Sequence, residues 1–381
     1  MVLPEDEDKP FVEEKFADKE TDDEELEIPQ TSPKDRKLVT HPYDFIVRSL
    51  DQQIKDGTLI LADKYQRRRV WQLSQCSKLI ESLLMNVPIP ICYFAEIDQG
   101  RYSVIDGQQR LSSIHRFLNN EYYLRGLKVR SDLNDKRYHQ IGIEDQRLIM
   151  SRTLRCIVVL KESDPIIRFD VFERLNTNST KLSTQELRNC VFRGDMNDLC
   201  KELSEDTNFL YLRNVKEPDL RMRDIELVLR FFAFYENIPE YKGNLKLFLD
   251  TYQSDGAKLN PDKKAELKKI FIRVIDDVKT VFGNEAFRKY DSVNSSWEKS
   301  VNRAIYDSIM LCFANSESNI LKEKKSEIIQ TLKELCLATE FKEAISSSTK
   351  DRSKVKLRLT LFRDALINRG IPVKEIQFWR E

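Results

Sequence analysis

The sequence predicts an α+β domain followed by an all-helical domain. Three observations predict it: strand-like and helical segments alternate before about residue 205, long helical stripes run from about residue 215 to the end, and the chain holds only 10 Gly and 12 Pro in 381 residues. A chain of this length fits about two domains. The expected division is an acidic tail over residues 1–37, an α+β domain over 38–205 and a helical domain over 206–381.

In PYDFIVRSLDQQIKDG (42–57), apolar residues at 43, 46, 47, 50 and 54 have helical spacing and end at Gly57, which predicts a first helix. TLILADKYQRRRVW then reads as a short strand entering a basic loop. LSQCSKLIESLLMN (73–86) places Leu73, Cys76, Leu79, Ile80, Leu83 and Leu84 on one face, a packed helix stopped by Pro88-Ile89-Pro90. ICYFAEI and RYSVI flank Asp98-Gln99-Gly100, a hairpin signal. QQRLSSIHRFLNN repeats apolar residues at 111, 114, 117 and 118. TLRCIVVLK (153–161) reads as a buried strand and DPIIRFDVFERLN as the helix after it. In the second half, AELKKIFIRVIDDVKTVF (265–282) carries an apolar stripe at 267, 270, 271, 274, 275, 278, 281 and 282. DIELVLRFFAFYE, SVNRAIYDSIMLCFA and KVKLRLTLFRDAL repeat the pattern.

Net charge is zero but unevenly spread: residues 1–30 hold 13 Asp/Glu against 3 Lys/Arg, leaving 60 Lys/Arg against 50 Asp/Glu in the rest. The acidic segment predicts a disordered, solubilising tail; a second reading folds it over a basic groove in competition with nucleic acid. The seven cysteines lie far apart without C-x-x-C spacing, which predicts reduced core residues and a cytoplasmic protein. No apolar run approaches the roughly 18 residues of a membrane span, and no signal peptide opens the chain.

VIDGQQRLSS (104–113) places a strand, a turn and a helix N-terminus in the order of an anion site. Gly107 permits positive φ and close backbone approach. The first helical N–H groups lack intrahelical partners and lie at the positive end of the dipole. Arg110 adds a planar fork suited to phosphate oxygens. Read alone, the stretch is equally an ordinary helix start, with Asp106 as N-cap and Gln109 closing a D-x-x-Q capping box. Its surroundings favour the anion site. KYQRRRVW (64–71) sets three arginines between Tyr65 and Trp71, a basic patch with rings for base stacking. FERLNTNSTKLSTQELRN (172–189) adds a polar loop and a capping box, Ser183-x-x-Glu186.

YQRRRVW, LIESLLMNVPIP, VIDGQQRLSSI and FERLNTNSTKLSTQELRN, in this order and spacing, resemble the N-terminal domain of GmrSD-type modification-dependent restriction endonucleases, which is related to the ParB/sulfiredoxin superfamily. The resemblance covers roughly residues 42–205. It implies a ParB/sulfiredoxin-like α+β domain that binds and hydrolyses a nucleoside triphosphate with Mg²⁺ through Asp106, Gly107, Gln108, Gln109 and Arg110. It also implies that Tyr65, Gln66 and Arg67 border the site and that Arg174 and Asn176 approach it from the FERLN segment. Asp106 either holds Mg²⁺ through water or only caps the helix. Arg68 and Arg69 are the DNA-binding candidates.

Two departures matter. Asn178 and Ser179 stand where relatives often carry glycines. The three histidines, His41, His115 and His139, all precede the helical half, so that half lacks the histidine base of the fused nuclease domain, and a stand-alone member is expected. The functional expectation is a nucleotide-dependent DNA-sensing module of a phage-defence or restriction system. In it Arg110 and Arg67 stabilise phosphate charge and Gln108 or Gln109 orients a water. Its partners would be DNA and a separately encoded nuclease or methylase subunit, without a membrane. The alternatives are a non-catalytic DNA-binding protein and a ParB-like nuclease using Asp106.

Overall fold

A computed structural model describes residues 37–61, 71–175, 183–219 and 221–379. The acidic tail falls outside these, apart from Lys37. The chain forms two compact units, one ending at Arg193 and one comprising Gly194 onward among the described residues. The helix Asp195–Ser204, placed by the sequence in the first domain, belongs to the second unit. There it buries Met196, Leu199, Cys200 and Leu203 in the helical core.

The first unit contains β1 (Thr40–Ile46), α1 (Val47–Lys55), β2 (Leu59–Ile60), α2 (Leu73–Leu84), β3 (Cys92–Asp98), β4 (Arg101–Asp106), α3 (Gln108–Leu118), α4 (Ile143–Ser151), β5 (Thr153–Val159), α5 (Pro165–Leu175) and α6 (Thr184–Val191). Its five strands run in the order β1-β5-β3-β4-β2. β3 pairs antiparallel with β4 and parallel with β5, while β1 pairs antiparallel with β5. The expected hairpin is present, with Gly100 at φ +78° in its turn. Alternation along β3 sends Cys92 and Phe94 to one face and Tyr93 and Ala95 to the other. The first pair packs with residues of α1 to α4, such as Val47, Ile80, Leu111 and Ile149. The second pair packs with Phe169, Phe172, Leu187 and Phe192, from α5, α6 and the residue after it. The sheet therefore has helices on both faces.

One expected element is corrected. Residues 42–57 are not a single helix: Thr40–Ile46 is a strand and the helix starts at Val47. The spacing 43, 46, 47, 50, 54 hid a two-residue alternation of His41, Tyr43 and Phe45. Its pairing partner, β5, lies more than a hundred residues away. Such short runs fit both periods, and the long-range partner settles the outcome.

The second unit is helical: α7 (Asp195–Ser204), α8 (Thr207–Arg213), α9 (Arg223–Asn237), α10 (Leu245–Asp255), α11 (Pro261–Phe282), α12 (Arg303–Ala314), α13 (Ser318–Glu323), α14 (Lys325–Leu337), α15 (Thr339–Ala344) and α16 (Arg352–Ile367). A two-strand hairpin, β6 (Tyr290–Asp291) and β7 (Ser296–Trp297), precedes α12. The expected α11 stripe is buried at Leu267, Phe271, Val274, Ile275, Val278, Val281 and Phe282. Asn260 caps it and Pro261 opens it, where a missing N–H costs nothing. All seven cysteines are buried, and none forms a disulfide. Among the described residues no helix is long and apolar enough to cross a membrane.

Charged groups are buried in this helical core. Asp307 accepts from Arg230 Nε and Nη2 and from Arg358 Nη2, each at 2.7 Å. Asp224, 1% exposed, accepts from Arg213 Nη1 at 3.3 Å and from the Asp219 N–H at 2.8 Å. Burial pushes the Asp224 carboxyl up to about 6 against the opposing pull of Arg213. A raised carboxyl binds its proton more tightly folded than unfolded. Its stabilising share is complete below the unfolded pKa near 3.8 and is lost as pH rises through about 6. The expected result is a fall in the unit's stability across that window, measured by urea unfolding, with the slope reduced in Asp224→Asn.

Candidate functional site

β4 delivers the chain through Asp106 to Gly107 and then into α3. Gly107 is the N-cap, with φ +99° and ψ 4°. A Cβ built there would lie 2.5 Å from Cys92 Sγ and 3.0 Å from Cys92 Cβ. Two demands therefore coincide at this position: a left-handed backbone and no room for a side chain above β3. Leu111 donates its N–H to the Gly107 carbonyl at 2.9 Å, which closes the first helical turn. Among the described residues, the N–H groups of Gln108, Gln109 and Arg110 meet no acceptor. They stand at the positive end of the α3 dipole.

The expected D-x-x-Q capping box does not form, because no side chain caps α3 and Asp106 lies one residue before the N-cap. Both residues have other partners. Gln109 Oε1 accepts the backbone N–H of Trp71 at 3.1 Å. Asp106 Oδ2 accepts from Arg110 Nη2 at 2.7 Å. A positive-φ glycine had already taken the position that a capping aspartate needs.

Arg110 is 8% exposed. Its Nη1 donates to the carbonyls of Pro90 and, at 3.3 Å, of Ile91. The guanidinium thus bridges the turn entering β3 and the carboxylate leaving β4. It is a clamp with its hydrogen bonds directed into the protein, where the sequence reading gave it an open phosphate fork. A signal for this burial was present in the sequence: Arg110 lies four residues before Ile114 and seven before Phe117, on the apolar stripe of α3.

Beneath Gly107, Cys92 and Cys156 face each other on paired parallel strands, both fully buried. Their shared hydrogen bond holds the Cys92 thiol below its usual range and drives Cys156 above it. Burial acts upward on both thiols, and the nearby Arg110 charge pulls both down. Cys92, Pro90 and Ile91 were not singled out in the sequence, which carries no local sign of a contact made across the sheet.

The structure brings together Asp106, Gly107, Gln109, Arg110 and Trp71. Gln108 is half-buried beside them, and its side chain forms no hydrogen bond among the described residues. Arg174 is not joined to the group. It ends α5 on the other sheet face, with its Nε 3.2 Å from Asp170. Tyr65, Gln66, Arg67, Arg68, Arg69 and Asn176, with Asn178 and Ser179, lie outside the described residues. The Ser183–Glu186 capping box is formed in full: Ser183 donates its N–H to Glu186 Oε2 at 2.5 Å, and Ser183 Oγ accepts the Glu186 N–H at 3.1 Å.

A five-stranded mixed sheet covered on both faces, with bare N–H groups at one strand-to-helix turn, defines the first unit as a mixed α/β domain. Residues 47–193 match the family model described as GmrSD restriction endonuclease, N-terminal domain. Over this span the first unit is similar to that family's N-terminal domain. No curated protein matches the chain.

Proposed function

We propose that the first unit binds a nucleoside triphosphate with Mg²⁺ at the N-terminus of α3 and couples occupancy of that site to DNA, as part of a restriction or phage-defence system. The observation that carries this reading is the run of three N–H groups at Gln108, Gln109 and Arg110, displayed after left-handed Gly107 without acceptors. The family's printed description, a restriction endonuclease, supports the link to DNA.

In this reading the backbone of residues 108–110 takes phosphate oxygens and Gln108 orients a water or the phosphate. Arg110 acts as a positioning residue that keeps Asp106 and the Pro90 turn in place. Gln109 ties Trp71, which follows the arginine-rich stretch in sequence, to the same helix end. From that stretch, Tyr65, Gln66 and Arg67 would border the nucleotide, and Arg68 and Arg69 would contact DNA. Asn176 approaches from the FERLN segment. A self-contained protein cage for a metal is not supported, since no cluster of three or more His, Cys, Asp or Glu suited to a metal exists among the described residues. Mg²⁺ would be carried by the phosphates, and Asp106 is the residue that would hold it through water. When bound, the ion would neutralise phosphate charge. A separately encoded nuclease or methylase subunit would complete the system.

A second reading, nucleotide held without cleavage, is favoured by one observation: the Arg110 guanidinium is directed into the protein and not toward the helix terminus. Phosphate release from each of the four triphosphates, with and without DNA, tests the pair. Hydrolysis stimulated by DNA supports the first reading. Tight nucleotide binding without release supports the second. No nucleotide binding at all removes both, and DNA binding that falls steeply with salt would then stand alone.

A further inference from the structure

Two arginines on the α5–α6 layer carry buried N–H groups that no protein acceptor takes. Arg168 is 7% exposed. Its Nη2 makes a long contact of 3.4 Å with the Glu96 carbonyl, and its Nε is buried without a partner. Arg193 donates from Nη2 to Ser103 Oγ at 3.1 Å, and its Nε is likewise buried and unpartnered. Neither guanidinium is within salt-bridge distance of a carboxylate among the described residues.

The fold brings the surroundings of these two together. Phe169 and Phe192, each adjacent in sequence to one of the arginines, stack with ring centroids 5.8 Å apart. The two contact points are also neighbours: Ala95 pairs with Ser103 and Glu96 with Tyr102 across β3 and β4. Diagonal neighbours on paired strands are roughly 7–8 Å apart or less. A third guanidinium, Arg188, lies over the Phe169 ring at 5.9 Å. Glu96 acts electrostatically on Arg168, but its Oε2 accepts the Lys161 N–H at 3.2 Å. Burial holds the Arg168 guanidinium below its ordinary range, against the opposing pull of Glu96. A buried guanidinium is costly unless an anion pairs with it.

We infer that Arg168, Arg193 and the Ser103 hydroxyl form a second anion site, on the sheet face opposite α3, that takes a small tetrahedral oxyanion: a phosphate group, free or at the end of a nucleotide. Two planar forks and a hydroxyl suit tetrahedral oxygens. The burial of Arg168 keeps it from the backbone of duplex DNA, so its ligand must be small. Ser103 precedes Asp106 by three residues on β4, and its side chain faces away from α3. The site is thus distinct from the α3 terminus and does not depend on nucleotide binding there.

The test uses the full chain, with inorganic phosphate as the probe. Thermal unfolding is followed in phosphate and in chloride at equal ionic strength, alongside ³¹P line broadening. The wild type is expected to gain thermal stability with phosphate concentration and to broaden the signal. Arg168→Met and Arg193→Met are each expected to weaken binding roughly tenfold or more. A nucleoside triphosphate that displaces inorganic phosphate identifies the terminal phosphate of a nucleotide as the source. Lack of displacement identifies the free ion. A wild type indifferent to phosphate, or variants that bind it as the wild type does, would overturn the inference. If Arg168→Met does not fold, Arg193→Met carries the test, because its side chain is only half-buried.

Discussion

Arg110→Ala is expected to lower the unfolding free energy by about 3 kcal/mol or more, the low end of what removing one partner of a buried ion pair costs. The guanidinium is 8% exposed and serves the Pro90 and Ile91 carbonyls and Asp106. Its loss leaves all three acceptors without this donor. Asp106 retains a quarter of its side-chain exposure, so water offsets part of the loss on that side. Urea unfolding of the variant measures the effect. Arg110→Lys should recover little, because one ammonium cannot bridge the turn carbonyls and the carboxylate in the geometry of a planar fork. An arginine that only waited for phosphate would give a different result: nucleotide binding lost and stability unchanged. That outcome would remove the clamp assignment.

Gly107→Ala is expected to cost about 2–4 kcal/mol through two separable causes. The first is conformational, since φ +99° is a region that side-chain-bearing residues rarely adopt. The second is steric: the new Cβ would meet Cys92 Sγ at 2.5 Å, against a strand packed at the centre of the sheet. A double variant with Cys92→Ala should restore part of the loss, because Sγ is gone while the Cβ contact at 3.0 Å and the backbone cost remain. Urea midpoints of the four proteins in this cycle separate the causes. A single variant as stable as the wild type would contradict both. The same substitution should also abolish anion binding at α3 by shifting the helix terminus away from β4.

Much of this was legible in the sequence, and the reason differs from element to element. α11 was readable because eight apolar positions at helical spacing leave one period, and seven of them are buried. The β3–β4 hairpin was readable because Asp98-Gln99-Gly100 is a local turn signal between alternating runs. The Ser183–Glu186 box was readable because its two hydrogen bonds span three residues. β1 was misread as helix because seven residues at the sheet edge carry too few alternations to exclude a helical period. The paired roles at α3 were misread for a related reason. Asp106 and Gln109 stand at capping-box spacing, yet Arg110, in the first turn of α3, takes the oxygen of one and the Trp71 N–H, from a distant segment, that of the other.

By itself, then, the sequence determined the local chemistry: where the long amphipathic helices run, where the hairpin turns, which strand-to-helix junction carries glycine before a bare helix terminus, and which family the first unit resembles. These follow from periods, caps and turns that act over a few residues. The tertiary structure alone decided what each polar side chain of the junction does. It turned Arg110 inward onto the Pro90 turn, set Cys92 under Gly107, and stacked Phe169 on Phe192. Each of these contacts joins residues fifteen or more positions apart, so it exists only once the sheet has assembled and the helices have closed over its two faces.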